Sequence, residues 1–172
     1  MLCADLKTAK RVDVAAANFL PSGRLRRPLR QAARRGPVRV LVSENSDPPV
    51  ARLASQHLYR GMLQSGVTLW EYQPQVMHAK DLVVDDVVYV GSANLDTRSL
   101  QLNFEFLLWL PSPVLSIQLR ARIDHDCALA WQVPADWSQH RTALQRLLQS
   151  WSHFLLARVD PFVARGQFCH LR

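Results

Sequence analysis

The stretch that decides the fold is His78-Ala79-Lys80-Asp81-Leu82-Val83-Val84-Asp85-Asp86-Val87-Val88-Tyr89-Val90-Gly91-Ser92-Ala93-Asn94. Its two β-rich runs meet at an Asp-Asp pair, which predicts a strand, a tight turn and a second strand. Asp tolerates positive φ, although Asp-Gly would make the better hairpin turn. Strand alternation points His78 and Lys80 to the same face, because residues i and i+2 share a side. An ammonium beside an imidazole suits phosphoryl chemistry, in which the cation holds a phosphate while the imidazole attacks phosphorus. Gly91 permits a close backbone approach. Ser92 and Asn94, again two apart, offer a hydroxyl and an amide to non-bridging oxygens. A His-x-Lys pair alone is a weak signal, since most such pairs are simply a partly exposed strand face. Asp85, Gly91, Ser92 and Asn94 at these offsets give it specificity.

Working upstream, residues 11–18 begin as a strand and end in the turn Phe19-Leu20-Pro21-Ser22-Gly23. Residues 24–35 read as a basic helix with Leu25, Leu29 and Ala32 on one face, stopped by Gly36-Pro37. Val38–Val42 is an apolar strand, 43–49 a polar loop, 50–64 a second helix and Val67–Tyr72 another strand. Strand, helix, strand, helix, strand argues for α/β layering. Right-handed crossovers put the helices on the faces of the sheet. Downstream, Phe104–Leu110 reads as a strand, and helices are expected at 113–131 and 135–157. The fold class predicted is α/β, with a mixed, mostly parallel sheet flanked by helices on both faces. Residues 1–133 form one domain in this reading. Residues 134–172 form a helical extension, packed on that domain or facing a membrane.

Composition limits the options. The chain has 172 residues, the size of one domain, and 48% of them are apolar, enough for a core. Lys and Arg total 21 against 14 Asp and Glu, a net charge of +7. That balance attracts nucleic acid or an anionic membrane face, or serves solubility alone. Cys3, Cys127 and Cys169 are odd in number and widely spaced, which suggests neither a disulfide framework nor a zinc site. No apolar run approaches the roughly 18 to 20 residues that span a bilayer. Asp5, Lys7, Lys10 and Arg11 interrupt any signal-peptide core. The expected location is cytoplasmic or peripheral to a membrane.

The quoted stretch resembles the HxKxxxxD…GSxN motif of the phospholipase D superfamily. The wider run from Tyr72-Gln73-Pro74 through Leu95-Asp96-Thr97-Arg98-Ser99 to Asn103-Phe104-Glu105 is similar to bacterial cardiolipin synthases, as are Asn18-Phe19-Leu20-Pro21 and Leu58-Tyr59 through Gly66. The likeness covers about residues 10 to 130. It implies that His78 is a nucleophile forming a phosphohistidine, that Lys80 and Asn94 are phosphate ligands, and that Ser92 supports them. It also places at Glu105 an acid that hydrogen-bonds the nucleophilic His. A carboxylate there would fix the tautomer and leave the other ring nitrogen free to attack. The alternative for Glu105 is a charge on a strand edge. Asp85 lies at the turn, far along the strand from His78, and reads as a structural member of the motif. Five residues separate Asp85 from Gly91, where the family usually has six. A deletion inside a strand would reverse the faces beyond it, so the loss is assigned to the turn.

Family enzymes pair two such motifs: one His attacks and the other protonates the leaving oxygen. This sequence has one. His57, His125, His140, His153 and His170 lack a Lys two residues on. The resemblance therefore implies the C-terminal half of a cardiolipin synthase-like protein. That half would act as a homodimer, with a separate N-terminal half, or not at all. The function implied is phosphatidyl transfer, from phosphatidylglycerol to cardiolipin, with anionic phospholipid and a membrane surface as partners. No cofactor and no metal are expected, since Lys80 and Asn94 supply the charge stabilisation. One rival is a single-motif dimeric phosphodiesterase or endonuclease. Its weakness is the lack of clearly clustered stacking aromatics. The other is an inactive half-domain that binds membrane or a partner through the helix at 135–157, which carries Trp137, Trp151 and Phe154 beside Arg141, Arg146 and Arg158. An ordinary packed helix is the alternative there.

Overall fold

A computed structural model describes residues 1–45, 49–96, 99–100 and 105–159. The expected start of a strand at Phe104, the motif neighbours Thr97, Arg98 and Asn103, the Arg158 side chain, Cys169 and His170 lie outside the described residues.

The elements run α1 (Leu2–Thr8), β1 (Val12–Ala16), β2 (Phe19–Leu20), α2 (Gly23–Ala32), β3 (Val38–Ser43), α3 (Pro49–Leu63), β4 (Val67–Tyr72), β5 (Lys80–Val84), β6 (Val87–Gly91), β7 (Leu95–Asp96), β8 (Leu107–Pro111), α4 (Pro113–Ala128), β9 (Ala130–Gln132) and α5 (Ala143–Phe154), which runs into a π-helical turn at Leu155–Val159. Seven strands form one sheet in the order β8-β6-β5-β1-β3-β4-β9, and β2 pairs with β7 in a short ribbon.

The α/β class holds, but the balance of strand directions differs from the expectation. Among the described residues, only β1–β3 and β3–β4 of the seven-stranded sheet are parallel, as is the separate β2–β7 ribbon. The pairs β1–β5, β5–β6, β6–β8 and β4–β9 are antiparallel. Connection length accounts for the helical crossovers and for the β5–β6 hairpin. Helical crossovers α2 and α3 return the chain parallel, whereas Asp85-Asp86 is a two-residue turn that can only fold the chain back on itself. β9 went unread because three residues carry too little alternation to signal a strand. Phe19–Leu20, expected as turn, is drawn into pairing with Leu95–Asp96.

Helices do cover both faces. On one side Val12, Val14, Val40 and Leu69 pack with Leu6 of α1, Leu25 and Leu29 of α2, and Tyr59 and Met62 of α3. On the other, Ala15, Leu41, Val83 and Val88 pack with Ile123 and Cys127 of α4. β1 is buried along its whole length, as a central strand should be. It includes a charge, Asp13, held by Arg39 (2.5 Å), Arg120 (2.8 Å) and Arg11 (3.1 Å). Arg39 also reaches Asp124 at 2.5 Å, so this cluster rivets α4 to the sheet. A second buried carboxylate, Glu71 on β4, accepts bonds from Tyr59 (3.0 Å), Gln56 (3.1 Å) and Arg52 (3.1 Å) of α3. Both charges satisfy the rule that a buried ion must be paired.

Candidate active site

His78 lies just before β5, in the extended segment that carries the chain from β4 across to β5. Its neighbour Met77 anchors that segment. The Met77 side chain is buried in the second core, and its N–H donates to Ser43 Oγ at the end of β3 (3.0 Å). Ala17 N donates to Ala79 O at 2.8 Å, and Lys80 is paired with Ala16. The His-x-Lys pair thus sits outside the carboxyl ends of the parallel strands, where open α/β sheets commonly place ligands.

The two side chains meet. Lys80 Nζ is 3.2 Å from each ring nitrogen of His78 and 3.4 Å from its carbonyl oxygen. Burial holds the Lys80 ammonium below its usual range, and the charges of Glu105, Asp81 and Asp96 pull it back up. His78 itself is exposed and stands between two hollows. One, of about 440 Å³, is lined by His78, Lys80, Asp81, Gly91, Arg122 and Asp126, among others. The other, of about 320 Å³, is lined by Asn18, Ser43, Asn45 and His78.

Gly91 ends β6, and its close approach is to protein backbone. A Cβ there would stand 2.1 Å from Phe106 O. Ser92 continues that seam: its N–H donates to Phe106 O at 3.1 Å, and its Oγ accepts from Phe106 N at 3.2 Å. Its hydroxyl hydrogen is left to donate elsewhere. The seam delivers Glu105 to the electrostatic field of Lys80. Asn94 is half-buried, and among the described residues its Oδ1 is buried with no hydrogen-bond partner.

Asp85 is elsewhere. It occupies the β5–β6 turn with φ of 48°, about 16 Å along the strand from Lys80. Its carboxylate accepts from Lys10 N (3.0 Å) and Arg11 N (2.9 Å), and its own N–H donates to Arg11 O (3.0 Å). The aspartate of the motif is thus a clamp between the hairpin and the start of β1.

Sequence reasoning missed Arg122. It reaches the His78 hollow from α4, beside Asp81 and 3.9 Å from Asp126. Nothing in the motif points to a residue so far downstream, and only the tertiary placement of α4 brings it in. Asn18 was seen in its stretch, but its place in the second hollow depends on the β1–β2 junction.

An α/β unit presenting one His-x-Lys pair at the carboxyl ends of its central strands defines a phospholipase D-type domain. Residues 2–127 match the family model described as cardiolipin synthase, PLD-like domain, and the chain belongs to that family. It is 34% identical over 140 residues to cardiolipin synthase A of Pseudomonas entomophila, a match covering 80% of this chain and 29% of that protein. The chain therefore spans less than a third of the length of such relatives. Among solved structures, the phospholipase D family member Nuc of Salmonella typhimurium superposes with a TM-score of 0.66 at 19% identity, covering 76% of this chain and 87% of that one. The phosphatidylserine synthase of Haemophilus influenzae gives 0.68 at 15% identity, covering 95% of this chain and 43% of that one. At these identities the likeness is one of fold.

Proposed function

We propose that this chain supplies one half of a phosphatidyl-transfer site of cardiolipin synthase type. The observation that carries the reading is the contact of Lys80 Nζ with the His78 ring in a chain of this family. In the proposed reaction a ring nitrogen of His78 attacks the phosphorus of phosphatidylglycerol. The bond to the glycerol oxygen breaks, and a second histidine from another half protonates that oxygen. A hydroxyl of a second phosphatidylglycerol then attacks the phosphohistidine and gives up its proton to the same second histidine. Cardiolipin forms and His78 is regenerated. Lys80 and Asn94 stabilise the phosphoryl oxygens, with Ser92 in support, and Glu105 orients His78. The second histidine comes from another copy of the chain or from a separate N-terminal half.

The substrate places the protein at a membrane surface. No helix among the described residues is long and apolar enough to cross one. The test is to incubate the chain with phosphatidylglycerol vesicles, alone and with a complementary half carrying a second motif, and to follow cardiolipin by mass spectrometry. New lipid that disappears in His78→Ala is expected. No lipid with the complementary half present would sink the proposal. Plasmid DNA without added metal is the parallel arm, and nicking there in place of lipid transfer would assign the site to a phosphodiesterase.

A further inference from the structure

α5 is turned the opposite way from an ordinary surface helix. Gln149 and Ser152 are buried at 5% and 6% exposure, whereas Leu144 is 65% and Trp151 58% exposed. Leu147, Leu148, Phe154 and Leu155 are exposed on the same side, so an unbroken apolar stripe faces outward. The orientation is fixed. Thr142 and Gln145 form a reciprocal capping box, with bonds of 3.2 and 3.1 Å. Gln149 donates to Gln56 Oε1 at 3.2 Å, Ser150 lies 3.2 Å from His57, and His57 stacks on His153 at 4.7 Å. Rotating the stripe inward would break the Gln149–Gln56, Ser150–His57 and His57–His153 contacts with α3.

Along one rim of the stripe, α5 and α3 enclose a hollow of about 180 Å³ lined by Arg60, Arg141, Arg146, Trp137, Ser138 and Ser150, among others. It is built rather than incidental. Trp137 is 3% exposed, packs on Tyr59 at 5.2 Å, and carries the Arg141 guanidinium 4.2 Å above its ring. Among the described residues, the Trp137 Nε1 and the buried Arg141 Nε have no hydrogen-bond partner. With Arg60, Arg141 and Arg146 all lining this hollow, and Arg146 steadied by a bond to Ser138 O at 3.2 Å, its positive charge suits an anion.

We propose that this face is a docking surface for anionic phospholipid bilayers: the α5 stripe enters the acyl boundary, and the Arg60–Arg141–Arg146 hollow receives a lipid phosphate. A membrane is the occupant because one surface must satisfy both halves of the pattern, an apolar stripe and a cationic rim, and an anionic bilayer presents phosphate directly above hydrocarbon. The chain's +7 charge favours the same approach. The surface is distinct from the His78 site and does not depend on its chemistry.

The experiment is co-sedimentation of the full chain with phosphatidylcholine vesicles, with and without phosphatidylglycerol. Binding is expected only with the anionic lipid. Leu147→Glu combined with Trp151→Glu should lower partitioning about tenfold or more. Arg60→Ala combined with Arg146→Ala should lower it about fivefold per arginine and remove most of the preference for anionic lipid. Ile117→Glu, an exposed apolar position on α4, should bind as the parent does. The substituted α5 side chains are exposed, so circular dichroism should be unchanged. Equal binding by the parent and both double variants would overturn the proposal, as would equal loss in Ile117→Glu. So would full release of bound protein by inorganic phosphate beyond that caused by chloride at the same ionic strength, which would mark a pocket for a soluble anion. Light scattering completes the test: a dimer made monomeric by the α5 substitutions, with vesicle binding intact, would give the face to a second copy. Because this surface is read by vesicle binding and the transfer reaction by cardiolipin formation, their failures are separate outcomes.

Discussion

At the scale of single residues, the proposed phosphate site requires a charged Lys80 although burial favours its neutral form. Glu105 is the first of three carboxylates that offset this. Binding of a phosphate analogue therefore weakens as pH rises through the Lys80 pKa, which lies below the usual lysine value. Glu105→Gln removes one raising influence, so the alkaline limb of a vanadate-binding profile should move to lower pH. An unmoved limb would detach Glu105 from Lys80. Gly91 is constrained for a different reason. A methyl there collides with the Phe106 carbonyl, so Gly91→Ala should cost about 1–3 kcal/mol in denaturant unfolding. It should also reduce transfer activity beyond what its stability loss explains, because the same seam sets Ser92 and Glu105. Activity that merely tracks the folded fraction would remove the seam from the site's design.

Among elements, the decisive joint is between α4 and the sheet. Asp13 is fully buried on β1 and is shared by Arg11, Arg39 and Arg120. Asp13→Ala removes the shared buried partner of Arg39 and Arg120, leaving Arg39 only the exposed Asp124 and Arg120 only the Asp85 carbonyl, and should destabilise the fold by about 3 kcal/mol in urea titrations. A loss under about 1 kcal/mol would show that the cluster is solvated rather than sealed. The elements also show what could be read in advance. His78 and Lys80 were legible because an i, i+2 relation survives even though His78 falls just outside β5. The turn at Asp85 was legible from its residue types. Strand direction was not, since it depends on whether a connection is a helix or a turn, and that balance shifts once the chain passes Lys80. The apolar spacing of α5 was legible too. A helical period reveals that an apolar face exists but not whether it turns inward. Here the polar pair Gln56–Gln149 decided that.

For the whole molecule, the question is where the second histidine comes from. If two copies of this chain build one site, every active dimer needs His78 from both. Mixing equal amounts of parent and His78→Ala chains under exchanging conditions should then leave about a quarter of the activity, because random pairing makes about one dimer in four fully parental. Retention of about half would point instead to a partner half encoded separately. Glu105, Arg122 and Asn94 all depend on long-range packing, so the motif alone under-describes the cleft that such a partner would close.

β1 has one further consequence, for the order in which the chain folds. One edge of this central strand is taken by β3, through Val12 and Val38, and the other only by β5, through Val12 and Val84. During synthesis the first edge is paired early, while the second stays open until the hairpin has left the ribosome. That is a long wait for an apolar strand, and open edges invite pairing with neighbouring chains. The step that closes the edge also sets Lys80 opposite Ala16. A nascent or truncated chain therefore brings Lys80 into place beside β1 at the same moment that it ceases to be a template for aggregation.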